Sequence, residues 1–233
     1  MATLYSTPNN MAASSMTNEQ PTSPNENHTL QIDFSWGKFK SRIFEKNDPE
    51  SKSLYILDYH CLSPHLVFKS TSDNSTIGIG KVHAISIDAD CEVHGRPIKL
   101  KALKRFKTQY THLSPAFSDT DTPVPMTWTS SSDFKTWDFI CLDEHQNPVA
   151  KFSANIWALR KLGNIEFMGP KALNSAAARE EILVMGMTLY YCMAMRMNNP
   201  LSLLGAVFSS PGQLEKDKST SGSELTEVGK KNK

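Results

Sequence analysis

The sequence predicts a mainly β protein: an antiparallel barrel of roughly ten to twelve short strands, closed around one apolar helix near the C-terminus. Two observations carry this. Between Ile32 and Phe167, short runs of β-forming residues alternate with turn residues, and no helical segment is interleaved. After them, Ser175 to Met197 reads as a helix, and its fourteen residues from Ile182 to Met195 carry no charge and place apolar side chains on every face. A helix that is apolar all round must be buried. Fourteen residues span about 21 Å, short of the roughly 30 Å of a bilayer's hydrocarbon layer, so the material around it should be protein. A closed barrel with the helix threaded through it buries the rod and removes exposed sheet edges together.

In chain order, residues 1–28 are rich in Ser, Thr, Asn and Pro and are expected to form a disordered tail, as are residues 211–233. Residues 29–210 form the expected single domain. Within it, Ile32, Phe34 and Trp36 alternate, and Leu54–Tyr59 and Leu66–Phe68 are compact apolar runs flanking Ser63-Pro64. Ile77, Ile79, Ile85 and Ile87 share one parity, with Lys81 and His83 on the same side. Cys91–His94, Ile98–Leu103, Met126–Trp128, Trp137–Leu142, Val149–Trp157 and Asn164–Phe167 follow. Turns are expected at Asp73-Asn74, Gly95-Arg96-Pro97, Asn147-Pro148 and Gly163-Asn164. For the helix, Asn174 or Ser175 can cap the start, Glu180 and Glu181 suit the positive end of the dipole, Arg196 suits the negative end, and Pro200 stops it. Leu201–Phe208, a second apolar piece, is expected to fold back on the barrel end.

Strands followed by one greasy helix, together with the hairpin WDFICLDEHQNPVAKFSANIW from Trp137 to Trp157, resemble the tubby C-terminal-like superfamily. That group includes the tubby domain, the plant LURP-one-related proteins and the phospholipid scramblases. The likeness covers about residues 30–208, and the chain is in particular similar to filamentous-fungal members of the group. It implies a twelve-stranded barrel around a central hydrophobic helix, and binding of phosphoinositide head groups through basic side chains. The cysteine-rich cluster and calcium loop of scramblases are not matched, and no tubby motif lets individual lipid-binding residues be carried over.

Lys+Arg 25 against Asp+Glu 24 gives no global charge that would draw the chain to nucleic acid. The N-terminus lacks the basic start and apolar core of a secretory signal, so a cytoplasmic location is expected, free or peripheral to a membrane. An apolar run from Ile182 to Phe208 is interrupted by Arg196, Asn198, Asn199 and Pro200, so a transmembrane span is not expected.

The residues that point to a partner are Arg96, Lys99, Lys101, Lys104, Arg105 and Lys107, in a stretch with no acidic residue from Gly95 to Ser118. With Ile98, Leu100 and Ala102 inward, Lys99 and Lys101 share the outer face of one strand. Such a cluster suits an inositol phosphate or an anionic membrane surface; as a bare charge run it also suits a solvated strand face. RNA fits less well, since only Phe106 and Tyr110 could stack with bases.

No cofactor or metal is expected. Cys61 with His65, Cys91 with His94 and Cys141 with His145 lack zinc spacing and read as core thiols beside loop histidines. Asp88-Ala89-Asp90 begins like a calcium loop but has Val93 and Lys99 where Gly and Glu are required. For catalysis, Gly78-Ile79-Gly80, Ser132 with Lys135, and Asp138 with Asp143 are each too short a pattern to stand alone. Trp128, Trp137 and Trp157 read as packing. A non-catalytic binding module is the expectation; the alternatives are a protein-interaction scaffold working through the tails, and an enzyme or small-ligand carrier at a barrel mouth.

Overall fold

A computed structural model describes residues 28–84, 86–104, 107–132, 136–155 and 160–198. Twelve strands run in chain order: β1 (Thr29–Ser35), β2 (Lys40–Glu45), β3 (Ser53–Tyr59), β4 (Leu66–Ser70), β5 (Thr76–Val82), β6 (Ala89–Val93), β7 (Arg96–Ala102), β8 (Gln109–Ser114), β9 (Val124–Ser132), β10 (Thr136–Leu142), β11 (Pro148–Asn155) and β12 (Lys161–Phe167). A short helix α1 (Gly169–Asn174) and the long helix α2 (Ala176–Asn198) follow. Every strand pairs with its sequence neighbours, and β1 pairs antiparallel with β12, so the sheet closes and has no edge. The closed antiparallel barrel with a C-terminal helix is the predicted fold class.

The helix lies where its composition requires. Residues 181–189 are buried in unbroken succession, so all faces of two and a half turns are covered. They meet the inward side chains of the strands, among them Phe68, Leu100, Trp128, Phe139 and Phe152, all buried. Ser175 caps α2 by accepting the Ala178 amide at 3.2 Å. The wrapping is incomplete at the C-terminal end: Tyr190 and Tyr191 are half-buried and Met195 is exposed.

Gly78 and Gly80 explain how the helix comes so close to the wall. On β5 the inward residues are Gly78, Gly80 and Val82, whereas Ile79 is half-buried. A β-carbon at Gly78 would stand 2.6 Å from Val184 Cγ2 and 2.8 Å from the Glu92 carbonyl, and one at Gly80 would overlap Thr188 Oγ1. This corrects the isoleucine reading: the run from Ile77 to Ile87 is not one strand. β5 ends at Val82, and Ile87, though buried, lies in the following loop.

Other expectations change likewise. β1 ends at Ser35, so Trp36 is exposed in the turn that follows instead of completing an inward row with Ile32. Gly163-Asn164 is no turn; both lie within β12, where Gly163 pairs with Ile32 and Ala154. β2 and β8 do not stand out in the sequence because their inward sides hold polar groups. Ser41 on β2 is buried and within 3.0 Å of the Tyr59 hydroxyl, and β8 turns Tyr110, His112 and Ser114 inward. Residues 1–27 and 211–233 of the expected tails, the segment Leu201–Phe208, and Ile85, Arg105, Phe106, Lys135, Trp157 and Pro200 lie outside the described residues; His28, placed in the first tail, instead joins the barrel, its carbonyl accepting the Phe167 amide at 3.0 Å.

Candidate functional site

The up-and-down order gives the barrel two unlike mouths. The turns after β2, β4, β6, β8 and β10, with α1 and the start of α2, form the near mouth; the turns after β1, β3, β5, β7, β9 and β11, with the end of α2, form the far mouth. The near-mouth turns carry seven carboxylates, including Asp48, Asp119, Asp121, Asp143 and Glu144, against Lys46 and Lys52, while α1 and the start of α2 add Lys171 and Arg179 with Glu180 and Glu181. Among the described residues of the far mouth the balance reverses, with Lys38, Lys104, Lys107, Arg160 and Arg196 against Asp88.

The basic cluster is built mainly on β7. Ile98, Leu100 and Ala102 are buried, Lys99 is exposed and Lys101 half-buried, so period-two alternation puts both lysines on the outer wall as expected. Lys104 and Lys107 are exposed in the loop that continues β7 at the far mouth. Arg96 does not join them. It starts β7 at the near-mouth turn, where His94 and Gly95 both adopt positive φ, and six strand steps of about 3.3 Å separate it from Ala102. The structure therefore places Lys101, Lys104 and Lys107 toward one end, Lys99 midway along the strand, and Arg96 at the other end.

The neighbouring strand answers part of this charge. Asp90 on β6 is in register with Lys99 on one side and Lys81 on the other, and it accepts from His83 at 2.9 Å. Asp88 is held inward by its bond from the Ala102 amide at 2.9 Å. Glu92 shares the outward side of β6 with Asp90, so Lys81, Lys99 and Lys101 exceed the two carboxylates by one charge, and Lys104 and Lys107 extend that excess toward the far mouth.

The helix end is fixed there. The Ile87 carbonyl accepts from the Tyr110 hydroxyl at 3.0 Å and from Arg196 Nη2 at 2.5 Å, and the Arg196 guanidinium lies 5.6 Å from the Tyr110 ring centre. Burial pushes the Tyr110 hydroxyl far above its ordinary pKa, so it remains a donor. Arg196 thus joins the far-mouth charge from a fixed position.

Around the same mouth are shallow cavities, one of about 400 Å³ lined by His60, Cys61, Leu62, Ser63, Pro64 and Val67, and a smaller one of about 100 Å³ between His65, Ser86 and Arg196. A cavity of about 380 Å³ at the near mouth holds Asp119, Asp143, Glu144, His145 and Lys171. Its polar groups serve the structure. Lys171 is bound by Asp119 and by the Ser118 carbonyl. Asp143 closes its own hairpin by accepting the His145 and Asn147 amides at 2.9 and 2.8 Å. Asp138, its proposed carboxylate partner, is instead paired with Lys151 at 3.1 Å.

Sequence reasoning missed one interior polar pair, His112 with Glu181, whose side chains approach to 3.3 Å, both buried. Glu181 also accepts the Ala116 amide at 3.3 Å, which ties α2 to the turn after β8. Of the thiols, Cys91 and Cys141 are buried as expected, but Cys61 is exposed. Among the described residues no three His, Cys, Asp or Glu side chains converge as metal ligands, and no helix is long and apolar enough to cross a membrane. Compared with family models, curated proteins and solved structures, the chain matches none.

Proposed function

We propose that this chain is a non-catalytic cytoplasmic module of the tubby C-terminal-like superfamily that attaches reversibly to an anionic phospholipid or phosphoinositide surface. The observation that carries the reading is the sorting of charge between the mouths, with Lys99, Lys101, Lys104 and Lys107 running toward the cationic end. The twelve-strand closure around a helix supports the kinship. Helix α2 fills the barrel with side chains, which favours a surface mechanism over chemistry in the interior. Each cation near an anionic leaflet contributes about 1 kcal/mol, and because the attraction decays over a Debye length of about 8 Å at physiological salt, the charges held close to the surface are the ones that count.

Flotation with phosphatidylcholine vesicles, with and without phosphoinositide, tests it. The expected result is binding that requires the anionic lipid, weakens with salt, and falls in a Lys101→Ala, Lys104→Ala, Arg105→Ala variant. Equal flotation of both proteins, or none by either, overturns the reading.

A further inference from the structure

The far mouth also gathers the large apolar side chains that the fold leaves in water. Of the five exposed large hydrophobics among the described residues, Trp36 (63% exposed), Phe39 (53%), Leu62 (81%) and Met195 (42%) belong to this mouth, and Leu54 (37%) lies at the other. Scattered exposed apolar residues need no explanation, but four at the cationic end of a polarised barrel do.

Two of them are held in place rather than left loose. The Trp36 ring meets Phe34 edge-on at 4.9 Å, and the Phe39 ring meets the same Phe34 at 5.8 Å. Phe34 in turn packs on Tyr59 at 5.4 Å, and Tyr59 on Tyr191 of α2 at 6.0 Å. The exposed rings are thus braced through half-buried aromatics to the central helix, which lowers the ordering cost of burying them in something else. Leu62 projects from the separate β3–β4 turn.

The occupant that fits is a bilayer carrying anionic lipid. The apolar side chains project from the β1–β2 turn, the β3–β4 turn and the end of α2 and do not line one groove, so a deformable medium suits them. Trp is favoured at the level of lipid head groups. Lys38, Lys104, Lys107, Arg160 and Arg196 lie at the same mouth and supply the charge that complements such a surface.

We propose that the far mouth docks end-on, inserting Trp36, Phe39 and Leu62 beneath the head groups of an anionic bilayer while the surrounding basic residues hold the lipid phosphates. This rests on the membrane reading above and adds to it an orientation and an apolar component.

The test uses the full chain with vesicles of phosphatidylcholine and phosphatidylserine, with and without bromine on the acyl chains near the interface. Trp128 and Trp137 are buried and Trp157 lies outside the described residues, so the Trp36 signal is isolated as the difference between wild type and Trp36→Phe. The expected result is bromine quenching and a blue shift of the Trp36 contribution on binding. A Phe39→Ser, Leu62→Ser variant, checked for an unchanged circular dichroism spectrum and melting temperature, should bind roughly ten-fold or more weaker, the equivalent of burying one large apolar side chain.

Binding to anionic vesicles with unquenched Trp36, and with wild-type affinity in the serine variant, overturns insertion while leaving electrostatic attachment by the side wall. No binding by any variant overturns both. A Trp36 emission already that of a dry site in the free protein also overturns the proposal, since the rim would then be covered by the chain itself.

Discussion

Replacing Gly80 by Ala places one methyl group between the barrel wall and the helix. The new β-carbon would overlap Thr188 Oγ1 and lie 3.2 Å from both Thr188 Cγ2 and Leu66 Cδ1. Thr188 is buried and donates its hydroxyl to the Val184 carbonyl at 2.7 Å, within its own helix, and Leu66 is buried in the wall. Neither can swing away, so helix and strand must separate or Thr188 must leave its rotamer. Overpacking of this kind destabilises by about 1–3 kcal/mol, and the upper half of that range is expected here because two side chains are struck. Thr188→Ala removes the atoms that are hit and gives up a hydrogen bond within the helix and one with the buried Cys91 thiol. In Gly80→Ala, Thr188→Ala the methyl fills the space vacated, so the double variant should recover much of the loss, with a coupling of about 1–2 kcal/mol. Urea denaturation of the four proteins, followed by tryptophan fluorescence and circular dichroism, measures the cycle. A neutral Gly80→Ala, or strictly additive effects, would refute the placement of α2 against β5.

Two further predictions concern the thiols and the acid limb of stability. Cys91, Cys141 and Cys192 are buried, and burial pushes their thiols up, Cys91 to about 12; Cys61 is exposed. A thiol reagent should therefore label one cysteine in the native protein and four after unfolding, and rapid labelling of two or more would contradict the barrel packing. Asp58 sits between Lys40 at 2.9 Å and Lys69 at 3.1 Å. Burial pushes its carboxyl up, but the two ammonium groups together hold it below its ordinary value of 3.8. A lowered folded pKa means that its contribution is present above the ordinary carboxylate range and is lost as pH falls through the folded value. Asp58→Asn should thus destabilise at neutral pH and flatten the acid dependence; an acid limb unchanged by the substitution would contradict this.

How much of this was legible in the sequence follows from where the information lies. The rod was visible because Ile182 to Met195 is apolar at every helical phase, a local property. Its sleeve was visible as repeated β-formers between turn residues. β2 and β8 were not, because Ser41, His112 and Ser114 face inward and erase the apolar alternation; their partners, Tyr59 and Glu181 for two of them, are distant in sequence. Gly78-Ile79-Gly80 was too short a pattern to mean anything by itself, and only the position of Val184 and Thr188 reveals why side chains are missing there.

The functional residues divide the same way. Lys99 and Lys101 were legible from strand parity alone. The separation of Arg96 from Lys107 required knowing which mouth each occupies. The gathering of Trp36, Phe39, Leu62 and Arg196 at one end depends on closure of the barrel and on the direction in which α2 runs. One local hint existed, the turn Trp36-Gly37-Lys38-Phe39, where two large aromatics flank a glycine and a lysine at a position that turns usually give to polar residues.

Amide hydrogen exchange of the full chain, with and without vesicles containing anionic lipid, tests the central claim that one mouth of the polarised barrel faces a membrane. The account predicts slowed exchange on binding in the turns 36–39, 60–65 and 103–108, with turns 46–52 and 143–147 unchanged. Protection concentrated in those near-mouth turns, or no change anywhere on the barrel, would contradict it.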